Sequence, residues 1–213
     1  MHTLYLISGL GADERLFKNL KLNFPTKPIK WISLLENEQL DGYALRLAEQ
    51  IDKTQPFSII GVSFGGMCAV QISKVLNPVY TILISSSKTR NELPFIIKTV
   101  KFIPVHKLLT DHMFIQLGYL SKRLFGIRNP EQSKLFLDML KSMPINYYSR
   151  SVNAIAGWKN KEYPDGIYHL HGDNDFIIPF NKIQNPIRIK GGSHLMVLDQ
   201  ANEISEIING FLK

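Results

Sequence analysis

The stretch Phe57-Ser58-Ile59-Ile60-Gly61-Val62-Ser63-Phe64-Gly65-Gly66 decides the fold of this chain. Its first half is a short, continuous apolar run with β-branched residues, the pattern of a strand buried on both faces. Its second half opens a helical pattern over Phe64–Leu76, carrying Met67, Ala69, Val70, Ile72 and Val75 and stopping at Asn77-Pro78. Where the two meet, Gly61-Val62-Ser63-Phe64-Gly65 is a G-x-S-x-G sequence on a strand-to-helix turn. A serine on so tight a turn takes a strained backbone conformation, and side chains at positions 61 and 65 would crowd it. The hydroxyl then projects above the strand end, beside a helix N-terminus that favours developing negative charge. Ser63 is therefore expected to be a nucleophile, and the Phe64 N–H to supply half of an oxyanion hole. The plain alternative is a serine that only caps the helix.

Five further apolar runs read as strands: Thr3–Ile7, Ile29–Leu34, Tyr80–Ile84, Ile167–Leu170 and Ile187–Lys190. Helical patterns fill most of the gaps, over Asp41–Thr54 and, at the end, about Asn202–Leu212. Strands alternating with helices imply an α/β fold, a doubly wound, mostly parallel sheet of about six strands. The alternation breaks between Ser87 and Lys161, where a helical pattern is cut by Pro94, Pro130 and Pro144. Four or five short helices are expected there. A segment that leaves one strand's carboxyl end and returns before the next can sit over that edge. Residues 88–161 are thus read as a helical cap inserted in a single domain spanning 1–213.

The net charge of +7 is uneven. From Lys88 to Lys161 there are 13 Lys/Arg against 4 Asp/Glu, so the whole positive excess lies in the cap. Such a field can draw an anionic substrate. Its blander reading, solvated helices with lysines on their outer faces, is preferred. The basic residues are scattered and no nucleic-acid motif accompanies them, so no nucleic-acid partner is expected. No apolar run approaches the roughly 20 residues of a membrane helix, and no membrane partner is expected either. The N-terminus lacks the marks of a signal peptide, and Cys68 is the only cysteine, so a cytoplasmic location is the default.

Two later turns carry candidate partners for Ser63. His194 lies in Gly191-Gly192-Ser193-His194, directly after a strand and before the last helix, and can serve as a general base. Asp173 and Asp175 lie in His171-Gly172-Asp173-Asn174-Asp175, after another strand, and either carboxylate can orient an imidazole. Ser63, the aspartates and His194 all fall just past strand ends, which a parallel sheet brings to one edge. A rival reading uses His169, His171 and Asp173 as metal ligands at alternating strand positions. His106 and Asp111, spaced H-x₄-D, are expected to be solvated. Trp158 and the stripe Phe95, Ile96, Val100, Phe102 are expected first to pack inside the cap, with lining of an acyl pocket by some of them as the alternative.

The Gly61–Gly66 segment resembles the nucleophile elbow of the α/β-hydrolase family. The Ser–Asp–His chain order matches it too, and the resemblance covers essentially the whole chain except the cap. The core looks like a shortened version that starts at what is usually the third strand. The family's Gly-x-x-Asp pattern, with proline four residues on, selects Asp175 and leaves Asp173 as a turn former. His194 matches its Gly-x-x-His element. The resemblance implies Leu10 as the second oxyanion donor, through its main chain, although Ser8 stands where the family often has histidine. It further implies a serine hydrolase that attacks a carboxylic ester or thioester, takes a small acyl substrate and needs no cofactor. A binding protein that keeps the fold without catalysis is the alternative from another class.

Overall fold

A computed structural model describes residues 2–100, 102 and 105–212. Its centre is a six-stranded, wholly parallel sheet in the order β2-β1-β3-β4-β5-β6. The strands are β1 (Thr3–Ile7), β2 (Thr26–Pro28), β3 (Phe57–Val62), β4 (Thr81–Ile84), β5 (Ile167–Gly172) and β6 (Ile187–Ile189). Every residue of β3 and β4 is buried, as their unbroken apolar character requires of strands covered on both faces. Helices α1 (Leu40–Leu47) and α2 (Phe64–Leu76) pack on each other, and α2 also contacts β1, β3 and β4. After the short α7 (Met196–Asp199), the last helix α8 (Ala201–Phe211) stacks Phe211 on Tyr168 of β5 with ring centroids 4.1 Å apart.

The second strand is not where the apolar run placed it. The expected strand Ile29–Leu34 is a loop, and β2 is the exposed Thr26–Pro28 just before it. The ladder to β1 ends at the bond from the Ile29 N–H to the Leu6 carbonyl, 2.8 Å. Beyond it, side chains take the loop's carbonyls: Tyr43 Oη donates to Ile32 O (2.9 Å), Arg46 Nη2 to Ser33 O (3.2 Å) and Arg150 Nη1 to Leu34 O (2.6 Å). Burial of Ile29 and Leu34 produced the apolar pattern without a strand. As an edge strand, β2 tolerates Pro28 and carries no apolar signal.

Between β4 and β5 the chain builds α3 (Phe95–Thr99), α4 (Asp111–Leu120), α5 (Pro130–Lys141) and α6 (Tyr147–Gly157). Asn129 caps α5 through the Gln132 N–H, with Pro130 at its first position. The insertion reaches the strand ends: Phe125 from the turn after α4, Phe136 from α5 and Ile155 from α6 line the same cavity as Ser63. The expected packing of the stripe fails. Trp158 is buried, but Phe95, Ile96 and Phe102 are more than two-thirds exposed. Helix α3 is only five residues long and turns Ile97, not its neighbours, toward the cavity. His106, expected in solvent, is buried, while Asp111 accepts a hydrogen bond from the Asn146 N–H at 2.7 Å.

Candidate active site

Ser63 joins β3 to α2 with φ 51° and ψ −118°, a conformation that costs a side-chain-bearing residue on the order of 1–3 kcal/mol. Its surroundings fix it. The Ser63 N–H donates to Ile84 O at 3.0 Å, and its carbonyl accepts from Gly66 N, Met67 N and the Ser86 hydroxyl at 2.9, 3.2 and 2.7 Å. A Cβ on Gly65 would drive into the Ser8 and Ile7 carbonyls, and one on Gly61 would lie 2.6 Å from Gly65 O. The tight turn thus presses the start of α2 against the end of β1. That is the topological switch point of the sheet, where β1 and β3 are neighbours and their onward connections diverge.

Ser63, His194 and Asp175 form one hydrogen-bonded line. The Ser63 hydroxyl donates to His194 Nε2 at 2.9 Å, and His194 Nδ1–H donates to Asp175 Oδ2 at 2.8 Å. The carboxylate so fixes the tautomer that leaves Nε2 free to accept. Asp175 is buried, and its Oδ1 accepts from the Ile177 and Ile178 amides at 2.8 and 2.9 Å. Burial pushes its carboxyl up. The charge and hydrogen bond of His194, the Ile178 amide and His171 outweigh that, holding it below the usual carboxylate value. Asp173 does a different job: it accepts from Arg188 Nε (2.7 Å) and the Gly191 N–H (2.6 Å), closing the turn beside the His194 loop.

No family model and no curated protein matches the sequence. Solved structures do match its shape. A hydrolase from Pseudomonas aeruginosa superposes with a TM-score of 0.72 at 14% identity, over 99% of this chain and 89% of that one. A lipase-esterase related protein from Clostridium acetobutylicum gives 0.70 at 17%, over 99% and 94%. A thermophilic esterase from Thermogutta terrifontis gives 0.68 at 16%, over 100% and 89%. This chain has the α/β-hydrolase fold. At such identities the likeness carries the fold, while chemistry has to be argued from the site itself.

Within the α/β-hydrolase fold of this chain, Leu10 and Phe64 line one cavity of about 160 Å³ together with Ser63 and His194. The Phe64 amide is the first of α2, one of the donors that a helix leaves without an intrahelical partner. The other walls are apolar: Met67 from α2, Leu93 and Ile97 from the insertion, Ile177 and Ile178 beside Asp175. Phe125 meets the His194 ring edge-on, 5.7 Å between centroids, and its carbonyl accepts from the Leu195 N–H.

The metal alternative does not assemble. Among the described residues no group of three His, Cys, Asp or Glu side chains is placed to hold an ion. His171 Nε2–H donates to Ile178 O at 2.8 Å and its Nδ1 faces His169 Nε2 at 3.3 Å, while Asp173 is committed to Arg188. Three residues around the site take roles that the sequence does not assign to them. Ser86 braces the Ser63 carbonyl, His171 lies 3.4 Å from Asp175 Oδ2, and Trp31 sits in the loop that looked like a strand. The run Ser85-Ser86-Ser87 at the end of an apolar strand was the only available hint of the first.

Proposed function

We propose that this chain is a serine hydrolase that cleaves a carboxylic ester or thioester through an acyl-enzyme. The observation that carries the reading is the unbroken hydrogen-bonded line from Asp175 through His194 to Ser63, ending at an apolar cavity. His194 takes the Ser63 proton as the hydroxyl attacks the substrate carbonyl. The tetrahedral oxyanion is held by the Leu10 and Phe64 amides, each such donor being worth about 10²–10³-fold. His194 then returns the proton to the leaving alcohol or thiol, and water repeats the sequence on the acyl-enzyme. None of these steps calls for a cofactor.

The cavity limits the substrate. Its 160 Å³ falls below the roughly 300 Å³ at which drug-sized ligand sites begin, so it suits one small or narrow apolar acyl group. The charge of the insertion speaks more weakly for an anionic substrate. Some of its basic residues are spent inside the protein: Lys88 is buried, Arg90 binds the Ala156 and Trp158 carbonyls, and Arg150 binds Leu34 O. A cytoplasmic location belongs to the same proposal, supported by the lone buried thiol of Cys68.

A fluorophosphonate probe tests the reading. It is expected to label the protein at Ser63 and to leave Ser63→Ala unlabelled. A panel of esters and thioesters varied in acyl length and charge then identifies the substrate class. An intact, folded protein that neither reacts with the probe nor turns over any member of the panel would be a binding protein instead. If an anionic substrate is the right one, its kcat/KM falls as salt is raised, while that of a neutral analogue stays level.

A further inference from the structure

The two proposed oxyanion donors stand on separate segments that have to be held in register. Leu10 lies in the turn after β1, which closes through the bond from the Ala12 N–H to Gly9 O at 3.0 Å. Gly11 takes φ 74° at the third position of that turn, where a positive φ calls for glycine. Leu10 is therefore the second turn residue, and its amide lies outside the turn's own hydrogen bond. Phe64 opens α2 on the next strand over.

One side chain touches both segments. Trp31 Nε1–H donates to the Ala12 carbonyl at 2.7 Å, the same oxygen that accepts from the Ser8 hydroxyl at 2.7 Å. The face of its indole stacks on the Phe64 ring, centroids 5.3 Å apart and planes 23° apart. The stack is backed on two sides. Tyr43 is near-parallel to both rings, at 6.2 Å from Trp31 and 6.1 Å from Phe64, and Tyr147 leans on Trp31 at 5.7 Å. Tyr43 also donates to the carbonyl of Ile32, so the segment that carries the indole is pinned from the same helix. Trp31 itself does not line the cavity.

Resting on the proposed hydrolase reading, we propose that Trp31 is a positioning residue, a strap that sets the spacing of the Leu10 and Phe64 amides. An oxyanion hole works because its donors are already in place when charge develops, and misplacement by about 0.5 Å forfeits much of the gain. The Ser8 hydroxyl is the second tie on the same carbonyl.

The test compares wild type with Ser8→Ala, Trp31→Phe and Ser8→Ala/Trp31→Phe. The readouts are turnover of a short p-nitrophenyl ester, inhibition by an alkyl boronic acid that mimics the tetrahedral intermediate, and thermal melting. Phenylalanine keeps an aromatic face for Phe64 and removes the Nε1–H. The expected result is a fall in kcat of at least about tenfold for Trp31→Phe, short of the loss of a whole donor. The fall is larger in the double variant and smaller in Ser8→Ala, with KM near wild type throughout. The boronate Ki rises in step with the loss of kcat/KM. Variants that melt lower but keep kcat and boronate affinity assign Trp31 a purely structural role and overturn the proposal, as does lost kcat with boronate affinity intact. Should Trp31→Phe fail to fold, Phe64→Leu, which removes the stack from its other side and keeps the residue-64 amide, decides by the same two readouts. A wild-type protein that neither turns over the esters nor reacts with a fluorophosphonate overturns the hydrolase reading and this one with it.

Discussion

The strand ends and the helical insertion follow opposite rules. At the carboxyl edge of β1, β3, β5 and β6 the backbone is over-determined. Ser63 is fixed by three main-chain hydrogen bonds and the Ser86 hydroxyl, Asp175 accepts from two amides as well as from His194, and Asp173 ties down the Gly191 turn. In the insertion, by contrast, large apolar side chains such as Phe95, Ile96, Phe102, Leu108, Leu120 and Ile145 point to solvent. On the proposed reading the reacting groups sit where geometry is held by many contacts, and the insertion lends them only a few cavity walls, Ile97 and Ile155 among them. The proposed chemistry is therefore held more tightly by this chain's structure than its substrate is.

The sharpest break of that contrast uses two aspartates two residues apart. Asp175→Asn keeps the size of the side chain but removes the charge that fixes the His194 tautomer. It is expected to lower kcat by about 10⁴-fold, roughly 5.5 kcal/mol of barrier. Asp173→Asn touches only the Arg188 and Gly191 turn and is expected to leave kcat close to wild type. Steady-state turnover of one activated ester by both variants checks this. Equal losses would mean that Asp173 shares the work of Asp175.

This pair also shows what was legible in the sequence. Local rules with few solutions could be read: G-x-S-x-G between a strand and a helix admits little besides a tight turn, and the glycine-flanked His194 follows a strand for the same kind of reason. The choice of Asp175 over Asp173 needed the family resemblance, because spacing alone allowed either. The loop at 29–34 could not be read. Ile29 and Leu34 are buried as a strand's residues would be, and what removes them from the sheet is the set of side chains from Tyr43, Arg46 and Arg150 arriving from elsewhere. Trp31 was hidden by the same misreading. In α3 the periodicity gave apolar residues without saying which would face inward, and the inward one is Ile97.

A smaller effect separates the strand edge from the insertion by pH. Burial lowers the pKa of His171, and burial with the charges of His171 and Lys88 lowers that of His169 well below its ordinary value. Both rings are therefore neutral in the folded protein at pH 7, while in the unfolded chain they titrate near 6.5. As pH falls below about 6.5 the unfolded state binds more protons, so stability declines toward the depressed folded values. The Asp175 carboxyl, held below its usual value, adds a second loss only below about pH 4, as pH falls through its folded pKa. Melting temperature is thus expected to drop between pH 7 and 5, and His169→Gln to shrink that drop even though it costs stability at pH 7. An unchanged pH slope in the variant would show that the buried pair is not its source.

The smallest expected effect lies inside one turn of α3, where the two regimes meet. Ile97 faces the cavity and its neighbour Phe95 faces solvent. If the cavity receives the acyl chain, Ile97→Ala adds room for longer chains. It should raise the kcat/KM ratio of longer to shorter acyl esters by about tenfold, the low end of what a methylene is worth in an apolar pocket. Phe95→Ser removes a larger side chain from the same helix, yet it should leave that ratio unchanged and stability within about 0.5 kcal/mol. Chain-length profiles of the two variants, measured side by side with thermal melts, make the comparison. A shift for Phe95→Ser equal to that for Ile97→Ala would mean that α3 selects substrate through its outer face. The difference drawn between a constrained strand edge and a loosely built insertion would then have to be moved inside the insertion itself.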